Sequence, residues 1–201
     1  TGDVIQDVDY ISTNIGCNNF LSVVSSPVGI YWVDANKKKA YAFRANGLES
    51  ISDTHGVKSW FFNNVYSIDN ILGYDYLNNE VLFSTASKTI AFNENLNKFT
   101  SIYPYTAKIY MSLPNKLLSV NNSYRGTIYE HNIGKIGTWY DEFKPIKLNF
   151  IVNKNPLYPK VFDHIEWYMG NIVTSSPNSV YLRLENTFNK ATFKVSSPAQ
   201  L

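Results

Sequence analysis

The sequence predicts an all-β fold of repeated antiparallel hairpins stacked in a propeller-like way, with a two-sheet β-sandwich as the alternative. Three observations carry this expectation. Aromatic residues make up 15% of the 201 positions, with 15 Tyr and 12 Phe, and such side chains favour pleated, half-buried surfaces. Asn occurs 24 times; it tolerates left-handed backbone and bonds its own main chain, which suits tight turns. Apolar and polar residues alternate, and one strand–turn–strand layout recurs at intervals of about 35 to 50 residues, near the period of propeller blades.

Taken in order, Ile30–Asp34 reads as a strand, Asn36–Lys38 as a turn and Lys39–Phe43 as the returning strand. Asn46-Gly47 marks the next turn, before Leu48–Ile51. The layout repeats as Glu80–Ser84, Lys88–Phe92 and Phe99–Ile102, with Asn95–Asn97 at the second turn. It repeats again as Lys116–Val120, Thr127–His131 and Thr138–Tyr140. A looser fourth copy spans Leu148–Val152 and Lys160–Ile165, and Val180–Leu184 with Thr192–Val195 forms a fifth hairpin. Such units repeat because one hairpin with a third strand cannot bury its apolar face alone; neighbours must stack on it. One short helix is expected over Ser52–Phe62, capped by Ser or Asp, with Val57, Trp60 and Phe61 at i, i+3 and i+4. Without linker-like composition, residues 1–201 are expected to form a single β domain.

Composition also excludes function classes. Eighteen basic against 16 acidic residues leave a formal charge of +2, too little for a basic nucleic-acid module or sequence-specific readout. No apolar run reaches 18 residues; the most apolar stretch, Phe20 to Val33, is broken by Ser25, Ser26 and Pro27. One cysteine, Cys17, rules out an intrachain disulfide and a thiolate cluster; it reads as a small, partly buried residue in a turn.

Side chains able to do chemistry are scattered. His55, His131 and His164 share no metal-ligand spacing. In Asp163-His164-Ile165-Glu166 a strand would place His164 and Glu166 on one face and Asp163 on the other, two ligands at most. Asp34, Asp75, Asp141, Glu142, Asp163 and Glu166 are the carboxylates a propeller-type glycosidase could use, but no spacing selects a pair and turns need such residues anyway. Lys37-Lys38-Lys39 reads as a solvated hairpin tip. No Gly-rich phosphate loop and no nucleophile elbow occurs. The expectation is therefore no catalytic, cofactor-binding or metal residue, and no cofactor.

Several phrases give the chain a family resemblance. Asn14–Cys17, Gly29–Asp34, Ile51–Trp60, Gly73–Tyr76 with Val81–Phe83, Phe99–Ser101, Ile128–Asn132 and Lys160–Asp163 together resemble the tail stabilisation or muzzle proteins of crAss-like bacteriophages. The resemblance runs from Asn14 to about Trp167 and rests on structural phrases, not active-site signatures. It implies a fragment of a longer protein, in keeping with a first residue of Thr1 rather than Met. It further implies a non-enzymatic nozzle subunit in the virion tail, in contact with other copies of itself and other tail subunits. Low charge with abundant aromatics suits such contacts, and a ring subunit would use head-to-tail interfaces that close by rotation. The alternatives are a β domain binding host surface glycans through exposed Trp and Tyr and, third, a propeller-type glycosidase.

Overall fold

The structure is a computed structural model that describes residues 10–121, 126–135 and 137–144; these belong to the first of the two units into which the chain divides, residues 1–148. The described part is all-β with two short helices. A 3-10 turn, Phe20–Ser22, leads into a four-stranded sheet of β1 (Val23–Ser25), β2 (Gly29–Asp34), β3 (Lys39–Arg44) and β4 (Gly47–Glu49). After α1 (Ile51–Thr54) and α2 (Lys58–Asn64) comes a second sheet of β5 (Ile71–Asp75), β6 (Glu80–Ser84), β7 (Thr89–Asn93) and β8 (Lys98–Tyr103). A third sheet holds β9 (Ile109–Leu113), β10 (Lys116–Val120) and β11 (Tyr129–Glu130), and a last hairpin pairs β12 (Thr138–Trp139) with β13 (Glu142–Phe143). Every pairing is antiparallel between strands consecutive in sequence.

The hairpins predicted at residues 30–43, 80–92 and 116–131 stand within these sheets. Each sheet also has a first strand that the sequence did not announce: β1, β5 or β9. The single expected helix is two, because Gly56 at φ +73° ends the first turn and Val57 starts again. Neither start has a side-chain cap on its amides; Ser50 instead bonds the Asp53 carboxylate at 2.9 Å. The looser fourth and fifth hairpins lie outside the described residues.

Three turns share one device. Asp34 Oδ1 accepts from the Lys37 amide, Asp75 Oδ1 from Leu77 and Asn93 Oδ1 from Leu96, each at 3.0 Å. The residue closing each turn is left-handed: Lys38 at φ 53°, Asn79 at 54° and Asn97 at 49°. Side-chain oxygens of Asp and Asn satisfy turn amides, and Asn takes two of the three positive-φ positions, which is one use this chain makes of its many asparagines.

Alternation decides how the sheets stack. Tyr31, Val33, Ala40 and Ala42 of the first sheet face Leu72, Tyr74, Val81, Phe83, Ile90 and Phe92 of the second. Phe61 of α2, wholly buried, meets Phe83 edge-on at 5.6 Å between ring centroids. The opposite face of the second sheet, Leu82 and Ala91, packs with Leu117, Tyr103 and Tyr110. Every residue of β5 and β6 is therefore buried, the pattern of a sheet covered on both sides. First strands are neighbours: β1 lies beside β5, and β5 beside β9. The closest approach is at Gly73, where an added Cβ would stand 2.4 Å from Tyr110 Cγ, and the Tyr74 amide donates to Ser112 Oγ at 2.9 Å.

Candidate functional site

The densest group of polar and aromatic side chains lies between the second and third sheets. Ser119 is on the face of β10 that also carries Leu117, turned to the core and wholly buried. Just past β11, the His131 amide bonds the Leu117 carbonyl at 2.9 Å, which places the imidazole beside Ser119. The turn joining β12 to β13 holds Tyr140 and Asp141 at φ 50° and 66°, and this sends the Tyr140 ring inward. Ser119 Oγ then stands 2.6 Å from His131 Nε2 and 2.6 Å from the Tyr140 hydroxyl. Tyr105 lies between them, 5.2 Å from the His131 ring and 4.8 Å from Trp139, on which it stacks.

Electrostatics keep this cluster neutral. Burial pushes His131 down to about 4, against a weaker upward pull from the Asp75 charge. The Tyr140 hydroxyl is pushed up, again by burial. A neutral imidazole accepting at Nε2 lets Ser119 donate to it and accept from Tyr140, so the hydroxyl serves both neighbours at once. Around the rim, Asp75 Oδ2 accepts from Asn78 Nδ2 and Asn132 Nδ2, both at 2.8 Å. Glu80, paired in register with Asp75, accepts from Thr100 at 3.2 Å and from Tyr103 at 3.0 Å. Burial, with the Glu80 charge second, raises the Tyr103 phenol.

A Ser next to a His is the raw material of a nucleophile and its base, yet the geometry here is that of a fastener. Ser119 has no exposed surface, and the carboxylates of Asp75 and Glu80 are held by amides and hydroxyls rather than by the imidazole. The space beside His131 is about 10 Å³, no more than one water needs. A shallower hollow of about 230 Å³ opens beside Tyr105, Trp139 and Tyr140, with Ser87, Asn121 and Glu142 on its rim. It falls below the 300 Å³ or so at which ligand pockets begin.

The carboxylates singled out in the sequence do not converge on one another. Asp34 is buried; its Oδ2 accepts from the Gly16 amide at 3.2 Å and its Oδ1 closes a turn. Asp141 accepts from the Tyr129 hydroxyl at 2.9 Å, and Glu142 pairs with Lys144 at 2.7 Å. His55 packs on Phe92 and Phe99, with Nε2 3.8 Å from Glu49 Oε1. Cys17 is exposed rather than partly buried, its Sγ 3.1 Å from the Asn19 carbonyl. The lysine tip is built into the fold rather than merely solvated. Lys38 Nζ stands 4.7 Å from the centre of the Phe62 ring, and Lys39 pairs with Asp53 at 2.5 Å. Asp163, His164 and Glu166 lie outside the described residues. Sequence reasoning missed Ser119, Tyr140 and Glu80. Only Glu80 left a trace, as a charge opening the otherwise apolar run Val81-Leu82-Phe83.

Among the described residues, no three of His, Cys, Asp and Glu gather as metal ligands would, and no helix is long and apolar enough to cross a membrane.

Two comparisons bear on this architecture. The family model described as Crassvirus muzzle protein matches residues 1–123, more than half of the chain, and the one described as Crassvirus muzzle protein C-terminal domain matches residues 134–200. The chain is similar to the muzzle protein of Bacteroides phage crAss001, 27% identical over 183 residues, covering 83% of this chain and 13% of that protein. The chain thus spans about an eighth of the length of the curated relative it matches.

Proposed function

The chain belongs to the Crassvirus muzzle protein family, and from that premise we propose that it is a non-enzymatic structural module of the phage tail, part of the nozzle that closes and extends it. The observation that carries this reading is the middle sheet, buried on both faces between two others. A stack of interlocked sheets resists deformation and presents surfaces instead of a reactive cleft. The histidine, serine and carboxylates that could have served catalysis are taken up in turns and buried networks. Four-stranded meanders with neighbouring first strands support a propeller-like arrangement over a sandwich.

In this reading the module works through contacts with other copies of itself and with other tail subunits, as a ring component of the virion. The test is direct. Peptides of this chain are expected by mass spectrometry in purified virions, cross-linked to tail proteins, and density for the tail should show β1, β5 and β9 around a common axis. Absence from virions would end the structural reading; stacked sheets without a shared axis would end the propeller. The reading of residues 1–201 as one domain predicts a single unfolding transition, and two separate transitions would oppose it.

A second reading has one observation in its favour. The hollow beside Tyr105 and Trp139 combines an aromatic platform with polar neighbours, the chemistry by which sugars are held. Binding on a glycan array, lost in Trp139→Ala, would favour recognition of host glycans. The same array, assayed for cleavage, tests the third reading of a glycosidase.

A further inference from the structure

The first sheet has a second face, and it is the wrong composition for water. Register places Val23 beside Trp32 and Trp32 beside Tyr41, and likewise Ile30 beside Phe43 and Phe43 beside Leu48. Directly opposed residues share a face, and alternation puts all six opposite to Tyr31, Val33, Ala40 and Ala42, which face the second sheet. Trp32 and Tyr41 stack at 5.8 Å and 22°; Tyr41 is already buried at 5% exposure, whereas Val23 and Ile30, toward the other end of the face, are 41% and 40% exposed. Asp34 and Lys39 stand together at the end, where the strands turn. An antiparallel sheet with one wet face alternates apolar with polar. Strands β2 and β3 instead carry apolar side chains on both sides, as β5 to β7 do, and those are covered twice.

Resting on the stacked-sheet reading above, we propose that this face is the docking surface for a further antiparallel β-sheet of the same stack, supplied by the same muzzle polypeptide from outside these 201 residues. The argument is continuity. The first sheet is covered by the second and the second by the third, with the connections β4 to β5 and β8 to β9 running within one chain. The same step taken backwards from β1 lands on the Val23, Ile30, Trp32 and Phe43 surface. The crAss001 relative has ample chain to supply such a sheet, since the matched part is 13% of it. The occupant would present branched and aromatic side chains about 10 Å from β2 and β3, the spacing of packed sheets.

Hydroxyl-radical footprinting read by mass spectrometry tests this. Labelling of Ile30, Trp32 and Phe43 is compared among the 201-residue chain, the whole muzzle polypeptide as separate subunits, and the virion. Phe20 and Leu96, exposed elsewhere, serve as internal references. The expected result is several-fold less labelling of the three residues in the single subunit than in the 201-residue chain. Equal labelling in those two samples would overturn the proposal. Protection only in the virion would assign the face to a neighbouring subunit, and protection already in the 201-residue chain would assign it to the chain's own residues; either overturns it. Presence of the polypeptide in the virion is read separately, so a failed docking surface and a failed structural role give different results.

Discussion

Gly73 and Ser119 show how single positions hold the second and third sheets together. Gly73 has an ordinary backbone conformation; it is glycine because Tyr110 occupies the place of its missing Cβ. Gly73→Ala should destabilise the chain by about 1 to 3 kcal/mol, the range for overpacking a filled core, visible as a lower urea midpoint. In a double-mutant cycle with Tyr110→Ala the two losses should add up to more than the double variant shows, because the clash disappears with the ring. Ser119→Ala should cost about 1 to 3 kcal/mol, because His131 and Tyr140 lose a shared partner in a dry site. The same site sets a pH dependence. His131 titrates near 4 when folded against an ordinary 6.5, so only the unfolded chain takes up the proton between those values. The stability His131 contributes is complete above about pH 6.5, falls as pH drops, and is gone below about 4. That loss is roughly 3 kcal/mol at the usual 1.4 kcal/mol per unit. Denaturant curves at pH 7 and 4.5 should show it, and His131→Gln should flatten it.

At the scale of elements, α2 works as a wedge on the first core. Phe61 has no exposed surface and touches Phe83 and Phe99 edge-on. Phe61→Ala should lower stability by about 3 to 5 kcal/mol, seen as a large drop in thermal midpoint, whereas Phe62→Ala on the exposed side should change little. The strands most legible in the sequence were those with alternating residues flanked by Asn turns, such as Lys39–Arg44 and Lys116–Val120. The first strands were hidden for physical reasons. β1 is three residues long and runs into Ser26-Pro27; β5 is buried on both faces and interrupted by Gly73, so it shows no alternation. The buried cluster was illegible too, since Ser119, His131 and Tyr140 meet only when β10, β11 and the β12–β13 turn are assembled. The helix was placed correctly and its break was not, because Gly56 inside a short amphipathic run is readable only from its positive φ.

For the molecule as a whole, the decisive feature is that β5, β6 and β7 need both neighbouring sheets. Residues 81 to 92 read Val-Leu-Phe-Ser-Thr-Ala-Ser-Lys-Thr-Ile-Ala-Phe, with one charge and no proline. This is a sequence able to pair with copies of itself whenever it is left bare. During synthesis it leaves the ribosome before β9 and β10 exist, so for an interval Leu82 and Ala91 have nothing to cover them. A chain ended after residue 105 should accumulate as insoluble aggregate in cells, while Leu82→Lys in that shortened chain should return part of it to the soluble fraction. The rigidity proposed for the finished particle would thus carry a hazard for the nascent chain, one that slow translation through residues 93–120 would worsen and a holdase chaperone would relieve.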